Sequence, residues 1–84
     1  MRIQFTKQFV KSYKKLPKNI QNLCDKKLQI LCDNSKSKEL DLHQLKGNKF
    51  PLWSIDISHD YRALFLIGND IYIFNSIGTH SQLY

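Results

Sequence analysis

The sequence predicts an α+β fold: an N-terminal strand and an α-helical hairpin packed on a small antiparallel β-meander, in the order β-α-α-β-β-β. Three observations lead there. Apolar residues recur at helical spacing between positions 7 and 33. From position 53 the period becomes two, in runs separated by short turns. The 84 residues, 42% hydrophobic and 12% aromatic, suit a single domain spanning 1–84 with a small core rather than a disordered chain.

Arg2–Phe5 alternates polar and apolar residues and reads as a first strand. Thr6 is a fair N-cap for a helix over 7–16, which sets Phe9, Val10, Tyr13 and Leu16 on one stripe. Lys7, Lys11, Lys14 and Lys15 fall mostly off that stripe. Pro17 ends this helix and can open the next, because its missing N–H is no loss in a first turn. Over 17–33, Ile20, Leu23, Cys24, Leu28, Leu31 and Cys32 form a second stripe. Two helices with so tight a break make a hairpin. Cys24 and Cys32 are about 12 Å apart along this helix, too far for a disulfide. Both are expected as buried thiols in a reducing compartment.

Residues 34–38 form a polar connection, and the remainder reads as strands. Trp53, Ile55 and Ile57 alternate with Ser54, Asp56 and Ser58, giving one apolar and one polar face. The run 62–67 is apolar on both faces after Arg62, as a central strand would be. Gly68, Asn69 and Asp70 make a turn into a last strand over 71–77. Three strands with short connections give an antiparallel meander.

No apolar run approaches membrane-spanning length, and the first residues lack a signal-peptide core, so a cytoplasmic protein with no membrane partner is expected. The net charge is +6, unevenly spread. Residues 1–40 hold ten basic and three acidic groups, a balance of +7, and residues 41–84 hold three basic and four acidic, a balance of −1. The first half therefore suits docking to a polyanion or an acidic protein, unless it is only a solvated lysine-rich surface.

The chain closes on Gly78-Thr79-His80-Ser81-Gln82-Leu83-Tyr84, a histidine and a tyrosine directly after a strongly β-forming run. All three histidines, His43, His59 and His80, sit at the edges of elements, in the same half as Asp56, Asp60, Arg62 and Tyr84. No G-x-S-x-G, glycine-rich phosphate loop or H-x-x-x-H helix is present, and no histidine–carboxylate pair has convincing ligand spacing. No metal and no small-molecule cofactor are expected. What remains is acid–base and electrostatic chemistry. RNA supplies its own nucleophile, the 2′-hydroxyl beside the scissile phosphate. An enzyme then needs a base for that proton, an acid for the leaving 5′-oxygen and a cation for the phosphate.

These residues resemble a known group. The ending Gly78 to Tyr84 is similar to the G-T-H-x-x-L-[F/Y] ending of YafQ-like toxins in the RelE/ParE superfamily. His43-Gln44-Leu45-Lys46-Gly47 resembles its H-x-L-x-G segment, and Trp53 to Ile57 followed by Asp60-Tyr61-Arg62 and Phe65 resembles its meander. The resemblance covers nearly the whole chain. It implies a type II toxin, held inactive by a cognate antitoxin, that cuts mRNA on the ribosome as a metal-independent endoribonuclease. It implies catalytic roles for His43, Asp60, His80 and Tyr84 and phosphate binding by Arg62. Lys46 and Lys49 join Arg62 as candidates for RNA contact. Asp56 stands where the YafQ type has a further histidine, and His59 is a candidate substitute, so both are further catalytic candidates. The RelE type prefers arginine or lysine at the position of His80. Two alternatives share the fold: a ParE-like DNA gyrase inhibitor, and an inactive protein that only binds an antitoxin.

Overall fold

A computed structural model describes every residue from Met1 to Tyr84. The chain runs β1 (Arg2–Phe5), α1 (Lys7–Lys14), α2 (Lys18–Asp33), β2 (His43–Gln44), β3 (Trp53–Asp56), β4 (Tyr61–Gly68), β5 (Ile71–Thr79) and a closing turn of helix, α3 (His80–Leu83). Short 3-10 turns at Lys38–Leu40 and Gly47–Lys49 flank β2. No helix is long and apolar enough to cross a membrane.

The helices start where the sequence places them. The Thr6 hydroxyl accepts the Phe9 N–H at 3.1 Å and caps α1. α2 opens behind Pro17, whose carbonyl takes the N–H groups of Ile20 and Gln21. Two hydrogen bonds staple the hairpin: Gln21 Nε2 donates to the Tyr13 carbonyl at 2.9 Å, and the Tyr13 hydroxyl donates to Asp25 at 2.7 Å. Cys24 is fully buried, but Cys32 is exposed, contrary to the expectation for both thiols. Eight residues at about 100° each leave Cys32 roughly 80° around the helix from Cys24, off the stripe that meets the core.

The sheet has five strands in the order β1-β5-β4-β3-β2. The expected meander forms its centre, with β3–β4 and β4–β5 antiparallel. Two strands widen it. β1 joins the free edge of β5 in parallel, as it can because the helices and the other strands intervene in sequence. β2, only two residues long, pairs antiparallel with β3.

Phe9, Ile20, Cys24, Leu31 and Leu40 pack with Ile55, Ile57, Ala63, Phe65, Tyr72, Phe74 and Ile77 of the sheet in one core. Phe65 stacks on Phe74 with ring centroids 4.7 Å apart, and Phe9 meets Phe74 edge-on at 5.6 Å. Phe74 and Ile77 are both buried in this core although they lie three positions apart, and strict alternation would send them to opposite faces. A β-bulge resolves the conflict. Leu64 pairs with Ser76 and Phe65 with Phe74, so Asn75 is one residue extra. Thr6 grips the bulge: its N–H donates to the Phe74 carbonyl at 3.0 Å and its hydroxyl to the Asn75 carbonyl at 3.1 Å.

Candidate active site

Downstream of the bulge the register is fixed. Asp56 pairs with Arg62 and Arg62 with Gly78, a row across β3, β4 and β5 on the face turned away from the shared core. The next pair, Tyr61 with Thr79, brings the β3–β4 turn alongside the start of α3. That juxtaposition gathers His59, Asp60, Tyr61, Arg62, Thr79, His80 and Ser81 around one open cavity of about 660 Å³.

The closing helix is held by a capping box. Thr79 Oγ1 accepts the Gln82 N–H at 3.3 Å, and Gln82 Oε1 accepts the Thr79 N–H at 2.8 Å. The pattern T-x-x-Q is legible in the sequence as a helix start. The Tyr84 N–H then donates to the His80 carbonyl at 2.9 Å. This one turn folds Tyr84 back onto His80, with ring centroids 4.5 Å apart and planes tilted by 59°. Lys49 Nζ lies 5.9 Å from the Tyr84 ring centroid, at the outer edge of cation–π range. The turn before β3 and the helix after β5 are therefore joined by a Lys49–Tyr84–His80 stack.

Arg62 Nη1 and Asp56 Oδ1 form an ion pair at 3.0 Å. Both atoms are sealed from solvent and have no hydrogen-bond partner beyond this contact. Ser54 Oγ, two residues before Asp56 on the same strand, is also buried and unpartnered.

His43 sits on β2 opposite Ser54 and outside the cavity lining. Its Nδ1 lies 2.9 Å from the Asp41 carbonyl. A carbonyl only accepts, so in the neutral ring the proton sits on Nδ1 and Nε2 keeps its lone pair. Lys46 precedes the 3-10 turn and does not line the cavity either. No three His, Cys, Asp or Glu side chains gather as a metal-binding group. Sequence reasoning missed Tyr61, Thr79 and Ser81 as cavity walls, since none of them belongs to a titratable cluster.

Comparison with solved structures finds this architecture in E. coli YafQ, with TM-score 0.84 and 19% identity over 100% of this chain and 99% of that one. The chain has the YafQ toxin fold. The same fold aligns with the E. coli DinJ–YafQ toxin–antitoxin complex at TM-score 0.80 and 20% identity, covering 98% of this chain and 94% of that one. A YoeB/ParE toxin from Agrobacterium tumefaciens aligns at TM-score 0.78 and 14% identity, over 95% and 99% of the two chains. No family model and no curated protein matches the sequence. The YafQ-type fold accounts for the β1-to-α3 order and for a sheet end built from the β3–β4 turn and the C-terminus.

Proposed function

We propose that this chain, acting as one toxin domain in the cytoplasm, is the toxin of a type II toxin–antitoxin pair and cleaves mRNA on the ribosome without a metal ion. The observation that carries the reading is the common cavity of His80, Asp60 and Arg62, with Tyr84 packed against His80. Cleavage moves two protons. One leaves the 2′-hydroxyl as its oxygen attacks phosphorus, and the other reaches the departing 5′-oxygen. His80 and Asp60 are the candidate proton carriers that share the cavity with Arg62, whose charge would offset the growing negative charge on phosphorus. Tyr84 offers a ring face to a base or to the His80 imidazole. His43, whose Nε2 keeps its lone pair, is a further candidate carrier from β2, and Lys46 and Lys49, outside the cavity lining, would meet the RNA backbone beyond it.

A partner is part of the reading. A second, apolar cavity of about 410 Å³ is lined by Phe5, Phe9, Val10, Tyr13, Lys14, Asp25 and Leu28. Lys7, Lys11 and Lys15 stand beside it, so an acidic amphipathic antitoxin segment fits it in both shape and charge.

Inducible expression of wild type and His80→Ala, with primer extension on a translated reporter, tests the proposal. Wild type should arrest growth and cut translated message in frame. His80→Ala should lose about 10²–10⁴-fold in cleavage while keeping its fold. Full toxicity in His80→Ala sinks the mechanism. Intact message with trapped gyrase–DNA complexes would move the chain to the ParE-like alternative.

A further inference from the structure

We infer that Asp56 is the aiming residue and counter-ion of Arg62 rather than a proton carrier, a refinement that rests on the nuclease reading above. The two residues are directly paired across β3 and β4, so the backbone itself brings the charges together. Their contact end is sealed, with Nη1 and Oδ1 closed to solvent and to any other hydrogen-bond partner. The rest of each side chain still reaches the surface, with relative exposures of 26% for Arg62 and 30% for Asp56. Arg62 lines the candidate cavity and Asp56 does not.

The division has a chemical meaning. A guanidinium is a planar fork of several N–H donors, and Asp56 occupies Nη1. Nε and Nη2 remain for a phosphate in the cavity, in the bidentate manner arginine favours. A carboxylate oxygen sealed against Arg62 outside the cavity is poorly placed to take a 2′-hydroxyl proton. It is well placed to fix the plane of the fork. It also offsets the only arginine charge at the site, since the other arginine, Arg2, lies on β1. A free anion meets a nearly neutral pair. A phosphate held in the cavity by the rest of its strand meets the remaining N–H groups at short range.

The test uses a short RNA oligonucleotide blocked by 2′-deoxy substitution, inorganic phosphate as a second probe, and cleavage of unmodified RNA. Asp56→Asn keeps an acceptor and removes the charge. It should bind the blocked oligonucleotide on the order of tenfold more tightly at low salt. The slope of log K against log salt should steepen by about 0.7, one further phosphate neutralised on a single strand. Turnover should change by no more than severalfold, against the orders of magnitude that loss of a proton carrier would cost. Asp56→Ala loses the acceptor too, so it should bind equally tightly but turn over more slowly. In an Arg62→Gln background, Asp56→Asn should no longer change affinity. A proton carrier predicts the opposite split, lost turnover in Asp56→Asn without tighter binding, and that result overturns the inference. Tightening that persists without Arg62 overturns it as well.

If Asp56→Asn does not fold, Asp56→Glu keeps the charge and displaces it by one methylene. Wild-type binding with reduced turnover is then expected, and unchanged turnover refutes the aiming role. A wild-type chain that cuts no message defeats the nuclease reading separately. The Arg62 Nε–H resonance still decides the counter-ion role in that case. Inorganic phosphate should shift it at lower concentration in Asp56→Asn than in wild type, and equal midpoints count against Asp56.

Discussion

The Tyr13 hydroxyl donates to Asp25 across the helical hairpin, and the bond holds its proton in place. The pKa of Tyr13 is raised from 10.0 to about 12, first by that hydrogen bond, then by burial and by the negative charge of Asp25. The folded state thus favours the protonated tyrosine more than the unfolded chain does. Its stabilising contribution is complete below pH 10 and is lost as pH rises through about 12. Tyr13→Phe should therefore lower Tm by a few degrees at pH 7. That deficit should shrink steadily between pH 10 and 12, and a constant gap across the range would contradict the assignment. Neither this bond nor the Asp56–Arg62 pair was legible in the sequence. Tyr13 read as one more apolar position on a stripe. Asp56 read as a catalytic candidate because it stands where the YafQ type has a further histidine, and its neighbours Ser54 and Ser58 marked only a polar face. A partner on another element is fixed by register, and a single strand does not display its register.

The element that decides the candidate site is the four-residue α3. Gly78 makes room for it: a Cβ there would stand 2.7 Å from Gln82 Oε1 and 3.3 Å from Gln82 Cβ. Gln82 Oε1 cannot swing aside without giving up the Thr79 N–H it caps. Gly78→Ala should therefore break the capping box, at a cost of about 1 kcal/mol to that turn. The Tyr84 ring should then leave His80, seen as loss of cross-peaks between the two rings by NMR. Cleavage should fall severalfold with little change in global Tm. Retained cross-peaks and full activity would show that α3 does not need the glycine. The longer elements were legible because they repeat a period over enough residues: α2 carries its apolar stripe for 16 residues, and the β4–β5 hairpin pairs eight residues of β4. β2 has two residues and α3 four, too few for any period to emerge.

Across the whole molecule, charge and chemistry divide between two surfaces. Lys7, Lys11, Lys14 and Lys15 surround an apolar groove on the side of β1 and α1, and the histidine cavity lies where the β3–β4 turn meets α3. The +7 balance of residues 1–40 thus gathers partly beside exposed Phe5 and Val10, at the groove proposed above for an acidic antitoxin segment. The sequence displayed this imbalance but not the groove, because the groove exists only once β1 is set against β5.

The extra residue at Asn75 makes the reading frame of the last strand a structural quantity. Substituting Asn75 changes one side chain, and its carbonyl still meets Thr6. Deleting it leaves Phe74, Ser76 and Ile77 in strict alternation against Phe65, Leu64 and Ala63, so the bulge disappears and Ile77 keeps its place in the core. Asn75→Ala should melt near wild type, and the chain lacking residue 75 should still fold cooperatively but with Tm lower by a few degrees, because the Thr6 hydroxyl loses the Asn75 carbonyl. A deletion variant that fails to fold cooperatively would show that the bulge itself is needed to seat Thr6 and α1 on β5. Length at this one position is therefore expected to vary between relatives more freely than elsewhere in β4 or β5, where a gained or lost residue would slip the pairing and turn the core face outward.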